Sequence, residues 1–371
     1  MIIESCTNFA AIPVDKATWN KFAQQNETNT IFQTYEWFES WWSTFGDQQE
    51  LLFLTARDAS GLRGFVPLMS AKNQWLGKTL RFASDENADY CDFIVCGNRL
   101  EVIDAFLTFL TPRELRWTNI LFLNIPEYST TKACLQTLSA NRKLKVQIKT
   151  PSPTPTLLIK QHEANALQLT KKYSIKRHLH KLEKMGEVTS LHLRTEEEIL
   201  PHLESFFQQH RERYILKNEV SLFTQSKNRN FYRLLTRKMS DNNWLLFTLI
   251  CLNGKPVAFH FGFQYNEVLL WYKPSFGTEY QEYSPGSIMI KYLIEHAIDS
   301  SCNELDFSVG KESFKSRFCN LNRHNQNIAI YRSSLLYQIC RIKQFAGILQ
   351  NKLTALHKSF STRQKSKKAD A

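Results

Sequence analysis

Apolar and polar positions change period repeatedly along the first 150 residues. Trp37, Phe38, Trp41, Trp42 and Phe45 recur at helical spacing behind Thr34, whose hydroxyl can cap a first turn, so a helix is predicted within residues 31–45. Leu51 to Arg57 and Leu62 to Met69 read as two strands around the turn residues Asp58-Ala59-Ser60-Gly61. Lys78 to Phe82 and Asn119 to Asn124 read as further strands, and Glu101 to Leu110 and Thr131 to Ala140 as helices. The first half is thus a mixed α/β unit. Thr150-Pro151-Ser152-Pro153-Thr154-Pro155-Thr156 interrupts the pattern with three alternate prolines, which stop a helix and favour extended backbone. A linker is expected here, dividing residues 1–155 from 156–333.

The second half opens with a strand at Leu157 to Ile159 and a helix from Lys171 to Met185, closed by Gly186. A strand from Glu187 to Arg194 precedes Thr195 and Glu198, spaced as a capping box for a helix to Tyr214. After a helix at Phe231 to Met239, the strands Trp244 to Leu252 and Pro256 to Tyr265 flank Asn253-Gly254, a strong hairpin signal. Val268 to Lys273 returns, a long helix runs from Ser284 to about Asp299, and Glu304 to Val309 is a strand. Lys311 to Phe318 is expected as a short helix with Lys311 and Lys315 on one face, and Gln326 to Tyr331 is the last strand. From residue 334 onward, Leu336, Ile339, Ile342, Phe345, Leu349, Leu353, Leu356 and Phe360 recur every three or four residues between lysines and arginines. That is a basic amphipathic helix over 334–371, suited either to its own domain or to an anionic membrane face.

Composition changes this picture through charge. The net +12 of the 371-residue chain is unevenly divided: residues 1–150 sum to −1, residues 151–371 to +13, and the last 40 alone to +8. Attraction to an anion therefore belongs to the second half. The apolar runs are too short to span a bilayer, and the first residues lack a basic stretch followed by an apolar one. Eight scattered cysteines without a CxxC pair fit a reducing cytoplasm, and ten histidines show no metal-ligand spacing, so no metal is expected.

One turn stands out as chemistry. Gln281-Glu282-Tyr283-Ser284-Pro285-Gly286-Ser287 sits between a strand and a helix N-terminus, where free amides and the helix dipole favour an anion. Pro285 suits the first helical turn, Gly286 lets a ligand approach the backbone, and Ser284 or Ser287 can add a hydroxyl. A pyrophosphate is the natural guest.

Gln281-x-x-Ser284-x-Gly286 resembles the Gln/Arg-x-x-Gly-x-Gly/Ala pattern of the acyl-CoA N-acyltransferase (GNAT) superfamily, with Ser at the first Gly. Further stretches resemble its CelD-like acetyltransferases, relatives of the FemAB-type transferases. They are Phe32-Gln33-Thr34-Tyr35-Glu36-Trp37, Val66-Pro67-Leu68, Asp89-Tyr90-Cys91-Asp92, the basic segment Lys176 to Glu183, His210-Arg211-Glu212-Arg213, Gly254 to Ala258, and Asp306 to Lys315. The resemblance spans roughly residues 15–335. It implies an α/β (α+β) fold of two GNAT-like units in tandem, the second binding acetyl-CoA or another acyl-CoA through residues 281–287. The acceptor would be an amine on a sugar nucleotide, glycan precursor or similar small molecule.

Such a transfer needs a neutral amine, a stabilised carbonyl oxygen and a proton for the leaving thiolate. Asp306 and Glu279, near strand ends expected to face the turn, are candidate bases, and Tyr283 is a candidate acid for the thiolate. Trp37, Asp89 and Tyr90, with Trp41 and Trp42, are expected either to line the acceptor cleft or to be core. His260 is either a cleft or a core histidine. Arg177, His210, Arg213, Lys311 and Lys315 suit an anionic group of substrate or cofactor. Two other readings stay open: a FemAB-like transferase using aminoacyl-tRNA, and a non-catalytic, membrane-associated scaffold of a polysaccharide biosynthesis complex.

Overall fold

The computed structural model describes residues 1–73, 77–112, 115, 117–150 and 152–342. The first half carries β1 (Ile2–Cys6), α1 (Lys16–Gln25), α2 (Tyr35–Phe45), β2 (Glu50–Asp58), β3 (Gly61–Asn73), β4 (Gly77–Phe82) and β5 (Ile94–Val95). It continues with α3 (Arg99–Leu110), β6 (Trp117–Pro126), α4 (Thr131–Asn141) and β7 (Lys145–Lys149). The second half carries β8 (Pro153–Leu158), α5 (Glu163–Thr170), α6 (Tyr173–Glu183), β9 (Val188–Leu193), α7 (Glu196–Ile215) and α8 (Ser226–Ser240). Then come β10 (Leu245–Leu252), β11 (Lys255–Tyr265), β12 (Val268–Phe276), α9 (Pro285–Asp299), β13 (Glu304–Asp306) and β14 (Leu321–Tyr331).

Local chemistry fixes the ends of these elements. Thr34 Oγ1 accepts from the Trp37 N–H and caps α2, and Thr195 with Glu198 forms the full capping box of α7. Asn253 and Gly254, at φ +50° and +76°, make the tight turn that twists β10 onto β11. β1, α1, β5, β7 and α5 have no counterpart among the expected elements.

Among the described residues the strands form one continuous sheet in the order β1-β2-β3-β4-β6-β14-β8-β13-β12-β11-β10-β9, with β5 on β3 and β7 on β14. β14 pairs antiparallel with β6 and β7 of the first half and with β8 of the second. The largest core runs from Ile31 to Ile330 and includes residues of both halves. α2 packs on α8, where Trp37 meets Phe231 edge-on at 5.4 Å and Lys238 Nζ lies 2.6 Å from Glu39.

Two expectations change, and a third reaches beyond the described residues. The proline stretch is a strand rather than a linker: Pro153 and Pro155 sit in β8, in mid-sheet. Spaced by two, they lack N–H groups on the same side of the strand, toward β13 and the chain that follows it. There the Pro155 and Pro153 carbonyls accept from Phe307 N–H (2.9 Å) and Gly310 N–H (3.1 Å), with nothing donated back by the prolines. Lys311 to Phe318 is not a helix beyond the 3-10 turn Lys315–Arg317; Lys311 is exposed and Lys315 buried, so the two share no face. The third concerns the tail: residues 334–342 are helical, and the remainder of the expected amphipathic helix lies outside the described residues.

Candidate functional site

β12 and β13 run parallel and pair over three rungs, ending with Leu270 opposite Asp306. β12 then continues to Phe276, whereas the chain after Asp306 turns away through Ser308 and Gly310, at φ +60° and +156°. The sheet opens into a V whose vertex is Asp306. A bulge marks the same place on the other side of β12: Trp271 and Tyr272 oppose Gly262 alone. A Cβ on Gly262 would stand 2.0 Å from His260 Cε1, so only glycine fits there. The His260 ring stacks on Trp271 and accepts the Tyr272 N–H at 3.3 Å. Burial lowers the His260 pKa to about 3, and the residue is fully buried, which makes it part of the bulge rather than a cleft histidine.

On the α9 side of the sheet, Gln281, Ser284, Pro285, Gly286 and Ser287 line a cavity of about 200 Å³ with Arg213, Trp271, Phe276 and Phe314. Ser284 takes the left-handed conformation (φ +48°), at the position where the GNAT pattern has glycine. The turn is tighter than expected: Ser287 and Ile288 both donate to the Ser284 carbonyl, so their N–H groups are not aimed at a ligand. Gly286 remains open. A Cβ there would meet nothing within 4 Å. Arg213 lies over the Phe276 ring (4.2 Å) and donates to the Pro274 carbonyl at 3.2 Å. It makes no ion pair among the described residues, its Nε has no partner, and burial lowers its pKa. A guanidinium without an ion pair beside the open Gly286 backbone is a site for phosphate oxygens. The residues present therefore fit the phosphate end of an acyl-CoA. Trp271 and Phe314, whose ring centroids lie 6.0 Å apart, form part of its apolar wall.

Asp306 belongs to a different cavity, of about 330 Å³, bounded by Phe32, Tyr90, Tyr128, Phe263, Leu270, Glu304, Asp306 and Arg323. Burial raises the Asp306 pKa to about 7 against the opposing bonds from Tyr90 and the Ser308 N–H (2.7 Å). Glu304 raises it further, and Arg323, bidentate to Glu304 at 2.8 and 2.9 Å, lowers it. Asp89 accepts a bond from Ser308 Oγ, so Asp89-Tyr90 of the first half grips the vertex strand of the second.

The other expected site residues scatter. Glu279 is exposed on the 3-10 turn before α9 and is not among the residues that line the Asp306 cavity. Tyr283 packs half-buried against the α9 core. Trp37 and Trp41 are core, with Trp37 enclosed by Phe32, Phe231, Phe263 and Tyr272. His210 is buried, stacked on Tyr214 and bonded to Ser221 Oγ at 2.8 Å; burial lowers its pKa to about 3. Arg177 is exposed on α6. Lys315 is tied to the Val309 carbonyl (3.0 Å) and to Glu312 (3.1 Å). Lys273, which sequence reasoning missed, rests over the Tyr272 ring at 3.8 Å with its pKa lowered by burial; a lysine interrupting the apolar run of β12 was its signal. Among the described residues no cluster of three or more His, Cys, Asp or Glu could hold a metal, and no helix is long and apolar enough to cross a membrane.

Comparisons with known proteins agree with this geometry at the level of fold. No curated protein matches the sequence. Among solved structures, FemX superposes with a TM-score of 0.64 at 10% identity, covering 91% of this chain and 99% of its own. A conserved protein of unknown function from Bacteroides thetaiotaomicron gives 0.61 at 13% identity, covering 89% and 100%. The C-terminal domain of a putative lysylphosphatidylglycerol synthetase from Agrobacterium fabrum gives 0.52 at 10% identity, covering 87% and 96%. A family model described as an acetyltransferase (GNAT) domain matches residues 170–316, the stretch that holds the α9 turn, the bulge and the V: the second half of this chain carries a GNAT acyltransferase fold.

Proposed function

We propose that the protein transfers an acyl group from an acyl-CoA to an amine, with the donor's phosphates at the α9 turn and Arg213. The observation that carries this reading is the open face of Gly286 in one cavity with an unpaired, desolvated Arg213. The amine nitrogen attacks the thioester carbonyl carbon, the C–S bond breaks, and the proton lost by nitrogen passes to Asp306 and finally to the thiolate. The buried Asp306 carboxyl, held near neutrality, is suited to that exchange. Trp271 and Phe314, in the wall of the same cavity, offer apolar faces to the donor's arm. Resemblance to CelD-like acetyltransferases supports acetyl as the acyl group.

The test is a thermal-shift titration with acetyl-CoA on the wild type and on Gly286→Val. Acetyl-CoA raises the wild-type midpoint, because a ligand of the native state stabilises it. The variant keeps its unliganded midpoint, since a side chain there meets nothing, and its affinity falls at least tenfold. No shift in the wild type rejects the donor assignment.

One observation favours a second reading. Lys176, Arg177 and Lys181 are exposed on α6, whose His178 reaches Ser284 Oγ at 3.5 Å, so a basic face adjoins the same turn. That face suits the longer polyanion of an aminoacyl-tRNA. tRNA affinity falling steeply with salt, without acetyl-CoA affinity, would select it.

A further inference from the structure

The cavity at the vertex has a chemistry of its own. It lies where Asp89-Tyr90 of the first half meets β13, and shares no lining residue with the α9-turn cavity. Three carboxyl groups line it, from Glu27, Glu304 and Asp306, against one lining guanidinium, Arg323; Arg99, outside the lining, pairs with Glu27 at 3.1 Å. The Arg323 guanidinium is already spent on both oxygens of Glu304. Its amide walls point the same way. Asn29 Oδ1 and Asn303 Oδ1, on residues that line the cavity, are buried acceptors with no hydrogen-bond partner. Native proteins rarely leave such atoms unpaired, and each would meet a bound donor once its amide turns into the cavity. Phe32 and Phe263 supply apolar ring faces. About 330 Å³ is at the small end of ligand sites.

We infer that this cavity is the acceptor site and that it takes a small aminated polyol of monosaccharide size carrying no phosphate. Unpaired acceptors and carboxylates call for N–H and O–H donors and a cationic amine. A phosphate would be brought beside Glu304 and Asp306 with no free cation to meet it. Asp306 both walls this cavity and forms the last rung before the V opens, so a bound amine lies next to the carboxyl that takes its proton. Sugar nucleotides are thereby excluded as acceptors at this site. This assignment rests on the acyl-transfer reading for its reaction, but not for its binding.

The test is ligand-observed NMR on the full chain with D-glucosamine, N-acetyl-D-glucosamine and D-glucosamine 6-phosphate, with acetyl-CoA affinity measured on the same samples. Glucosamine binds, and N-acetylation or 6-phosphorylation weakens it at least tenfold. Asp306→Asn weakens glucosamine at least fivefold and leaves acetyl-CoA affinity within twofold, which also reports that the variant is folded. Asn303→Leu, which removes that amide and leaves Asp306 in place, weakens glucosamine likewise. Equal or tighter binding of the 6-phosphate overturns the inference, as does absence of glucosamine binding by a protein that binds acetyl-CoA. Glucosamine binding without acetyl-CoA binding leaves this assignment standing and defeats the donor assignment instead.

Discussion

Asp306 concentrates the chemistry of the site in one carboxyl. Its pKa near 7 is a balance of burial and Glu304 against Tyr90, the Ser308 N–H and Arg323. Acyl transfer should therefore rise with pH through about 7, as the base form appears. Asp306→Asn should lower turnover by on the order of 10² to 10⁴ and flatten that limb of the profile, as read by free-thiol release from acetyl-CoA. Stability moves the opposite way. The folded chain keeps a proton at Asp306 that the unfolded chain releases near its ordinary pKa of 3.8. Stability from this group is thus full in acid and is lost as pH rises from about 4 to about 7. Urea unfolding across that range should show the decline in the wild type and its loss in the variant. Ser284 offers a second test. Its left-handed backbone carries a side chain that makes only a 3.5 Å contact with His178. Ser284→Gly should raise stability by about 1 kcal/mol, seen as a higher thermal midpoint, because glycine adopts that conformation freely.

At the scale of elements, β8 holds the chain after Asp306 through its carbonyls alone. Phe307 donates to the Pro155 carbonyl, and Pro155 has no N–H to return to Phe307. Pro155→Ala supplies that donor and adds one bond to a pairing that β8 already makes through its carbonyls. The variant should keep or gain thermal stability, measured by calorimetry, and leave acetyl-CoA affinity within about twofold. Much of this level was legible beforehand. The α2 and α7 caps, the Asn253-Gly254 hairpin and the strand–turn–helix at 268–299 all declare themselves through local residue chemistry. The proline strand did not, because prolines spaced by two read as a break until a neighbour needs only their carbonyls. Nor did the exposed and buried fates of Lys311 and Lys315, since helical spacing means nothing where no helix forms. Asp306 was legible as a base candidate through its place between Leu305 and Phe307. Its partner Tyr90 lies more than two hundred positions away, and only the fold joins them.

At the scale of the molecule, the two halves share a strand and a core. β14 gives one edge to β6 and the other to β7 and β8 in turn, and the α2–α8 contact ties helices from both halves. Thermal unfolding should show one cooperative transition by near-ultraviolet and far-ultraviolet circular dichroism alike. A chain ended after Asn320 should fail to fold in either half, with loss of the near-ultraviolet signal. Periodicity cannot reveal such sharing, because the strand pattern at 326–331 is the same whichever sheet it joins. The shared strand also sets an order of events during synthesis. β6 lacks its neighbour until residues 321–331 have left the ribosome, so its open edge must be kept from other chains for most of translation.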